Sequence, residues 1–294
     1  MARTAFLVAG TKGARFFQAM HGHCDVHSVV SYQPGGTAHE SHAEVAAFCA
    51  DKGYTLLARD RLEPSMLEGA DLVFVAGWQF LLASIDERFV VMHDSLLPRF
   101  RGFAPTVTAL IRGERQVGVT ALKPTAMADR GPVYGQQAIA VEYPVKVRQV
   151  YERLAVAYAD VARAIATHFD QHGRLPEPTA QDESRATYSL WRDELDYDID
   201  WTSSAADIRR HVDAVGWPYL GARTSYLGTR IVLDDVEEMP DLPFEIRSPG
   251  KLWLIADNQP HVVCGQGLLR IVSARVLETG APVRFNRLRA HMGC

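Results

Sequence analysis

Apolar residues in the first half of the chain fall into short unbroken runs, separated by segments where they recur every three or four positions. Phe6-Leu7-Val8-Ala9 stops at Gly10-Thr11, after which Ala14, Phe17 and Met20 repeat at helical spacing. That order predicts a buried strand, a glycine turn and a helix. Further strands are predicted at 26–32, 55–57, 71–77 and 89–93, with a helix at 43–52. Strands that alternate with helices imply βαβ units and a largely parallel sheet. A helix at 105–112 and strands at 118–123 and 133–141 follow. Next comes a long amphipathic helix with Val150, Leu154, Tyr158, Val161 and Ile165 on one face, ending near His172-Gly173.

The pattern then changes. Residues 174–189 are rich in proline, threonine and charge, the composition of a linker. A helix at 205–215 has Ser203-Ser204 before it as cap candidates. From Pro218 onward short strands, at 222–226, 229–233, 252–255, 261–264 and 268–271, are separated by glycines, which predicts a small all-β barrel. The expected class is α/β: a Rossmann-like domain with a mostly parallel sheet over 1–173, a linker over 174–202, and a smaller helix plus β-barrel (OB-like) domain over 203–294.

With 294 residues, 47% hydrophobic and 22% charged, the chain has the composition of a globular protein with room for a real core. A net charge of −4 argues against a surface built for nucleic acid. No apolar run reaches membrane-spanning length, and the first is too short for a signal peptide. Cys24, Cys49, Cys264 and Cys294 show no pairing pattern. A cytoplasmic location without membrane attachment is the expectation.

The stretch from Val90 to Gly102 carries the chemistry. It is a short apolar strand that ends on His93 and runs into Ser95-Leu96-Leu97-Pro98. In a parallel α/β sheet the strand ends present the reactive groups, and a histidine there exchanges protons near neutral pH. Read from the residues alone, His93 is a candidate catalytic group beside the plainer reading of a core histidine, and Asp129 a candidate beside that of a turn aspartate.

This stretch, with Arg101-Gly102, Pro105, Gly118-Val119-Thr120 and Asp129-Arg130-Gly131, resembles the active-site signature of the 10-formyltetrahydrofolate-dependent formyltransferases. Asp200-Trp201, Trp217-Pro218, Pro249-Gly250 and 264–268 are similar to the C-terminal domain of methionyl-tRNA formyltransferases and their sugar-modifying relatives, the sugar N-formyltransferases. The resemblance implies transfer of a formyl group from 10-formyltetrahydrofolate to an amine. The attack builds an oxyanion and a positively charged nitrogen, so the site must steady one and deprotonate the other. It further implies that His93 polarises the formyl oxygen or moves a proton, and that Asp129 tunes His93 and receives the amine proton. Trp78, Gln79, Phe80, Leu81 and Leu82 would line the pteridine pocket with Thr125, Ala126, Met127 and Ala128, and Ser95, Leu96, Leu97 and Pro98 would form its turn.

Three departures stand beside these matches. Val91 occupies the position of the family's asparagine two residues before the histidine, so one oxyanion donor is missing, a loss of about 100-fold or more in rate. Asp94 replaces the usual proline or glycine, and 124–128 lacks the acidic and glycine residues common before the aspartate. These leave open a donor hydrolase, a transferase of another one-carbon or acyl unit, and a binding module for folate or sugar nucleotide without turnover. The stretch 33–40 has no lysine or arginine where methionyl-tRNA formyltransferases carry a basic insertion. Phosphate contacts dominate nucleic-acid affinity, so the expected acceptor is a small amine, a nucleotide-linked amino sugar first among them, and not tRNA. The resemblance also allows a homodimer.

The remaining motifs have plain readings. His21, His23 and His27, around Cys24, are expected as surface histidines rather than a metal site, and no metal is expected elsewhere. Gly10-Thr11-Lys12-Gly13 lacks phosphate-loop spacing and reads as a strand-to-helix turn. Trp191, Trp201 and Trp217 are expected in the core, and Arg209-Arg210-His211 on a solvated helix face.

Overall fold

The structure is a computed structural model that describes residues 1–35, 40–58, 64–80 and 86–293. The chain divides into two compact units, one made of 1–106, 115–141 and 148–191, the other of 107–114, 142–147 and 192–294.

In the first unit the chain runs through β1 (Arg3–Ala9), α1 (Gly10–Met20), β2 (Asp25–Tyr32), α2 (Ser41–Lys52) and β3 (Leu56–Ala58). It continues through β4 (Leu72–Ala76), β5 (Phe89–His93), β6 (Arg101–Gly102) and α3 (Pro105–Ile111), the last of which passes into the second unit. Then come β7 (Gln116–Leu122), β8 (Val133–Ala140), α4 (Val147–His172) and β9 (Tyr188–Ser189). Seven strands form one sheet in the order β3-β2-β1-β4-β5-β7-β8. The five from β3 to β5 pair parallel, while β7 and β8 are antiparallel to their neighbours. For β8 the reason is length: residues 123–132 are too few for a crossover, which needs about a dozen or more, so the chain turns straight back onto β7.

Alternation along the central strands sends side chains to two apolar layers. Ala5, Leu7, Val73, Val75 and Phe89 form one with Leu67 and Ala70, and Val91 and Trp78 pack against it. Phe6 and Phe74 enter the other, where they meet Phe16 of α1, itself packed on Tyr158 of α4. The glycine turn after β1 has a packing reason. A Cβ on Gly13 would lie 2.8 Å from the Ala76 carbonyl, so glycine lets α1 start close against β4.

The second unit holds α5 (Ala205–Val215) and the strands β10 (Ala222–Tyr226), β11 (Thr229–Met239), β12 (Leu252–Ala256), β13 (Gln259–Val263) and β14 (Leu268–Val276). The expected barrel region is a five-stranded antiparallel sheet in the order β10-β11-β14-β13-β12. Strand β11 runs further than its apolar pattern predicted, because it pairs with β14 through register shifts around Asp235 that interrupt alternation. Ser204 caps α5 by accepting the Asp207 amide, a bond worth about 1 kcal/mol.

Two readings of side chains are corrected here. Trp201 is buried and donates its indole N–H to Thr224, as expected of a core residue, but Trp191 and Trp217 are 56% and 46% exposed. The helical run after it is no solvated face. Arg209 and Arg210 are half-buried, Arg209 pairing with Asp213 and Glu238 and Arg210 with Asp207 and the Ile111 carbonyl, and His211 lies against the Tyr197 carbonyl.

Candidate active site

β5 delivers His93 as its last residue, buried and paired in register with Thr120 of β7. The chain then folds back over it. The Phe100 carbonyl lies 3.0 Å from His93 Nε2, and the Asp129 carboxylate reaches the other ring nitrogen, with Oδ1 3.5 Å from Nδ1. The second Asp129 oxygen accepts the Gly102 amide at 2.8 Å. The two residues singled out in the sequence are therefore brought together, each with a backbone partner.

Both flanking loops depart from ordinary backbone. Phe100 has φ 57°, Gly102 φ 99°, Ala104 φ 44° and Asp129 φ 58°. Such conformations are uncommon outside glycine and concentrate where a structure holds a group in a required direction. Aspartate is among the residues that tolerate the left-handed region best. At Phe100 the turn aims the carbonyl at the imidazole, and at Asp129 it accompanies the carboxylate.

The ring has an acceptor on each side. With one proton, the imidazole can donate to Phe100 or to Asp129 but not to both; with two, it can donate to both. The arrangement can thus take up one proton and hold it between fixed oxygens.

Asp94, one residue on, turns toward α1. Its carboxylate pairs with Lys12 at 2.6 Å and accepts the Thr106 hydroxyl at 2.6 Å, and the Lys12 ammonium lies 5.0 Å from the centre of the Tyr151 ring. Burial alone would raise the Asp94 pKa. The charges of Lys12 and His93 and the bonds from Lys12 and Thr106 outweigh it and hold the carboxyl below its ordinary value. The Tyr158 hydroxyl is pushed well up by burial, and further by Asp94 and Asp129. A closed ionic pair therefore stands behind His93.

Val91, where the resembling family has asparagine, is half-buried and packs on the apolar layer of the sheet. Its side chain offers no donor.

The remaining site candidates are placed as follows. Trp78 and Phe80 cluster with Tyr32, whose hydroxyl accepts the Gln79 amide at 3.0 Å; Phe80 is 40% exposed. Leu81 and Leu82 lie outside the described residues. Ser95 is buried and donates to the Arg99 carbonyl, the Leu97 amide donates to the Thr120 hydroxyl, and the Pro98 carbonyl accepts the Thr187 amide. Leu96 is half-buried against Gly118. The turn is thus held by one bond within it, from Ser95, and by two to Thr120 and Thr187 outside it. Thr125, Ala126, Met127 and Ala128 form an exposed loop closed by the Thr125 hydroxyl on the Met127 carbonyl. The exposed Phe80 ring and the open backbone at 125–128 suit a flat, hydrogen-bonding heterocycle such as a pterin. Among the described residues no group of three or more His, Cys, Asp or Glu could hold a metal ion.

Sequence reasoning missed Gln181, Glu183 and Thr187, which sit in the stretch read as linker. Gln181 donates to the Asp129 and Gly131 carbonyls and accepts from Arg101, and Glu183 pairs with Arg101. The one signal was Arg101, a cation beside Phe100 in a turn rich in apolar residues.

A histidine at the end of a parallel strand faces a carboxylate held by a backbone amide. The formyl transferase family matches residues 6–162 and the formyl transferase C-terminal domain matches 193–284. The chain belongs to the formyl transferase family. HypX from Aquifex aeolicus, solved with tetrahydrofolic acid, aligns at TM-score 0.62 and 16% identity over 97% of this chain, which spans 46% of that one. The N-formyltransferase from Helicobacter canadensis, solved with folinic acid and dTDP-3-aminofucose, aligns at TM-score 0.64 and 11% identity, over 92% of this chain and 99% of the other. Methionyl-tRNA formyltransferase from Clostridium thermocellum gives 0.58 and 14%, over 81% and 94%. At these identities the structural likeness is one of fold.

Proposed function

We propose that the chain transfers a formyl group from 10-formyltetrahydrofolate to the amine of a small metabolite, with a nucleotide-linked amino sugar as the acceptor. The observation that carries the reading is the His93–Asp129 pair with its fixed partners Phe100 and Gly102. The donor, when bound, supplies an electrophilic formyl carbon. The chain's own residues handle the proton that the amine must lose: Asp129 tunes His93 and receives it, and His93, between Asp129 and the Phe100 carbonyl, polarises the formyl oxygen or takes part in the proton transfer.

Trp78, Gln79, Phe80, Leu81 and Leu82 with Thr125 to Ala128 are assigned to the donor, and Ser95 to Pro98 to the turn that shapes its pocket. Residues 1–173 are read as the catalytic domain, 174–202 as the joining segment and 203–294 as the C-terminal domain. The uncharged stretch 33–35 and the acidic balance of the chain favour a small acceptor over tRNA. The Helicobacter canadensis enzyme solved with dTDP-3-aminofucose supports a sugar nucleotide. Among the described residues no helix is long and apolar enough to cross a membrane, in keeping with a cytoplasmic enzyme. A homodimer belongs to the same reading.

The lack of a donor at Val91 favours one rival, hydrolysis of the formyl donor or transfer of another unit. Calorimetric titration with 5-formyltetrahydrofolate, alone and then with nucleotide-linked amino sugars, separates the cases when run beside a formylation assay. Donor binding tightened by one sugar, with formylated product that vanishes in His93→Ala, is the expected result. Formate release without amine would replace transfer by hydrolysis, and no donor binding would overturn both.

A further inference from the structure

The geometry points to Gln181 as a positioning residue for the catalytic pair, acting together with Arg101 and Glu183; this rests on the reading of His93 and Asp129 as the catalytic groups. The Gln181 amide is fully used. Its nitrogen donates to the carbonyls of Asp129 at 2.8 Å and Gly131 at 2.7 Å, and its oxygen accepts from Arg101 Nε at 3.2 Å and from a terminal nitrogen at 2.7 Å. Two carbonyls demand the NH2 end and a guanidinium demands the oxygen, so only one orientation satisfies the amide. Bonds to the carbonyls of residues 129 and 131 fix the peptide planes just after the left-handed Asp129. That sets where its carboxylate points.

Arg101 extends the control to His93. It is 1% exposed and held by Glu183 through two bonds at 2.8 and 2.6 Å. On one side of it is Phe100, whose carbonyl meets His93; on the other is Gly102, whose amide meets Asp129. Anchoring the Arg101 side chain therefore fixes both backbone partners of the pair at once. The same segment holds the main chain: Thr187 accepts the Phe100 amide on its hydroxyl and the Arg101 amide on its carbonyl, and the Ser189 carbonyl accepts Phe103. The stretch 181–189 is thus a strap across both catalytic loops: Gln181 bonds Arg101 and the backbone of 129 and 131, while Glu183 pairs with Arg101 and Arg130.

The test compares Gln181→Ala and Gln181→Glu in the full chain, alone and with Asp129→Asn. Glutamate keeps an acceptor for Arg101 but loses both donors to the loop. Expected is a fall in kcat of about 10- to 100-fold for either single variant, with donor and acceptor KM little changed. In the Asp129→Asn background the further loss should be under about twofold, because the group being positioned is gone. Losses that simply multiply, or no loss, would overturn the proposal. Amide exchange at Gly102 gives a reading independent of turnover. It should quicken by about tenfold or more in Gln181→Ala while the amides of α4 keep their protection. Unchanged Gly102 exchange would sink the proposal. A response at Gly102 in a chain that moves no formyl group would uphold the positioning and overturn the reaction.

Discussion

The Gly102 amide donates to Asp129 Oδ2 at 2.8 Å, and this contact depends on a backbone that only glycine adopts with ease. Gly102 sits at φ 99°, and a Cβ there would lie 2.5 Å from the Ser189 carbonyl. A side chain would have to push β6 away from β9 and take the amide off the carboxylate. Gly102→Ala should therefore destabilise the protein by about 2 kcal/mol and lower kcat by about 10-fold or more. Urea unfolding beside single-turnover rates checks both; an alanine variant of unchanged rate would mean that the Gly102 bond does not orient Asp129.

Asp129→Asn keeps the shape and tolerates the same left-handed backbone, but removes the charge facing His93 Nδ1. The expected loss in kcat is about 100- to 10,000-fold, the range of a general acid–base contribution, with the circular-dichroism spectrum unaltered. A variant within about threefold of wild type would take Asp129 out of the proton path.

Stability should respond to pH through Asp94. Its native pKa lies below the ordinary value, the balance of burial, which raises it, against Lys12, His93 and Thr106, which lower it. A lowered native value means stabilisation that is complete above the unfolded pKa, near 4, and lost as the pH falls through the native value. Lys12→Met removes the cation and leaves a buried carboxylate with the Thr106 hydroxyl as its remaining donor. It should cost about 3 kcal/mol at pH 7, and the gap to wild type should narrow on acidification as Asp94 takes up a proton in the variant. Denaturant midpoints from pH 7 down to 3.5 show it; a constant gap would mean that the contact is not ionic.

Val91→Asn places an amide two residues from His93 on the same side of β5. It should lower stability by about 1 kcal/mol, from the polar group set against the apolar layer, and raise kcat several-fold by restoring a donor for the developing oxyanion. A lower rate would show that charge develops elsewhere in this site.

The apolar pattern alone was enough for most of the first sheet and for α5, whose observed span 205–215 coincides with the reading from spacing and caps. Spacing is a local property, and strands and helices record it. The position of His93 followed, since an apolar run ending on a histidine shows a strand end. What could not be read was direction and partnership. Antiparallel β7 looks like a parallel strand in composition, and its reversal against β5 follows a connection, 94–115, long enough for a crossover. Trp191 looks like a core residue until its ring proves to pack on Phe103, itself exposed.

The sequence by itself determined the α/β class, the family, and the identity of His93 and Asp129 as candidates, because each is written in short runs and motifs. Tertiary structure alone decided how they are held. Gln181 and Glu183 lie 80 and 82 positions from Arg101, in a stretch whose polar composition matches any linker. Hydrogen bonds between side chains so distant in sequence leave no period and no spacing, so they exist only once the fold has brought the two loops under one strap.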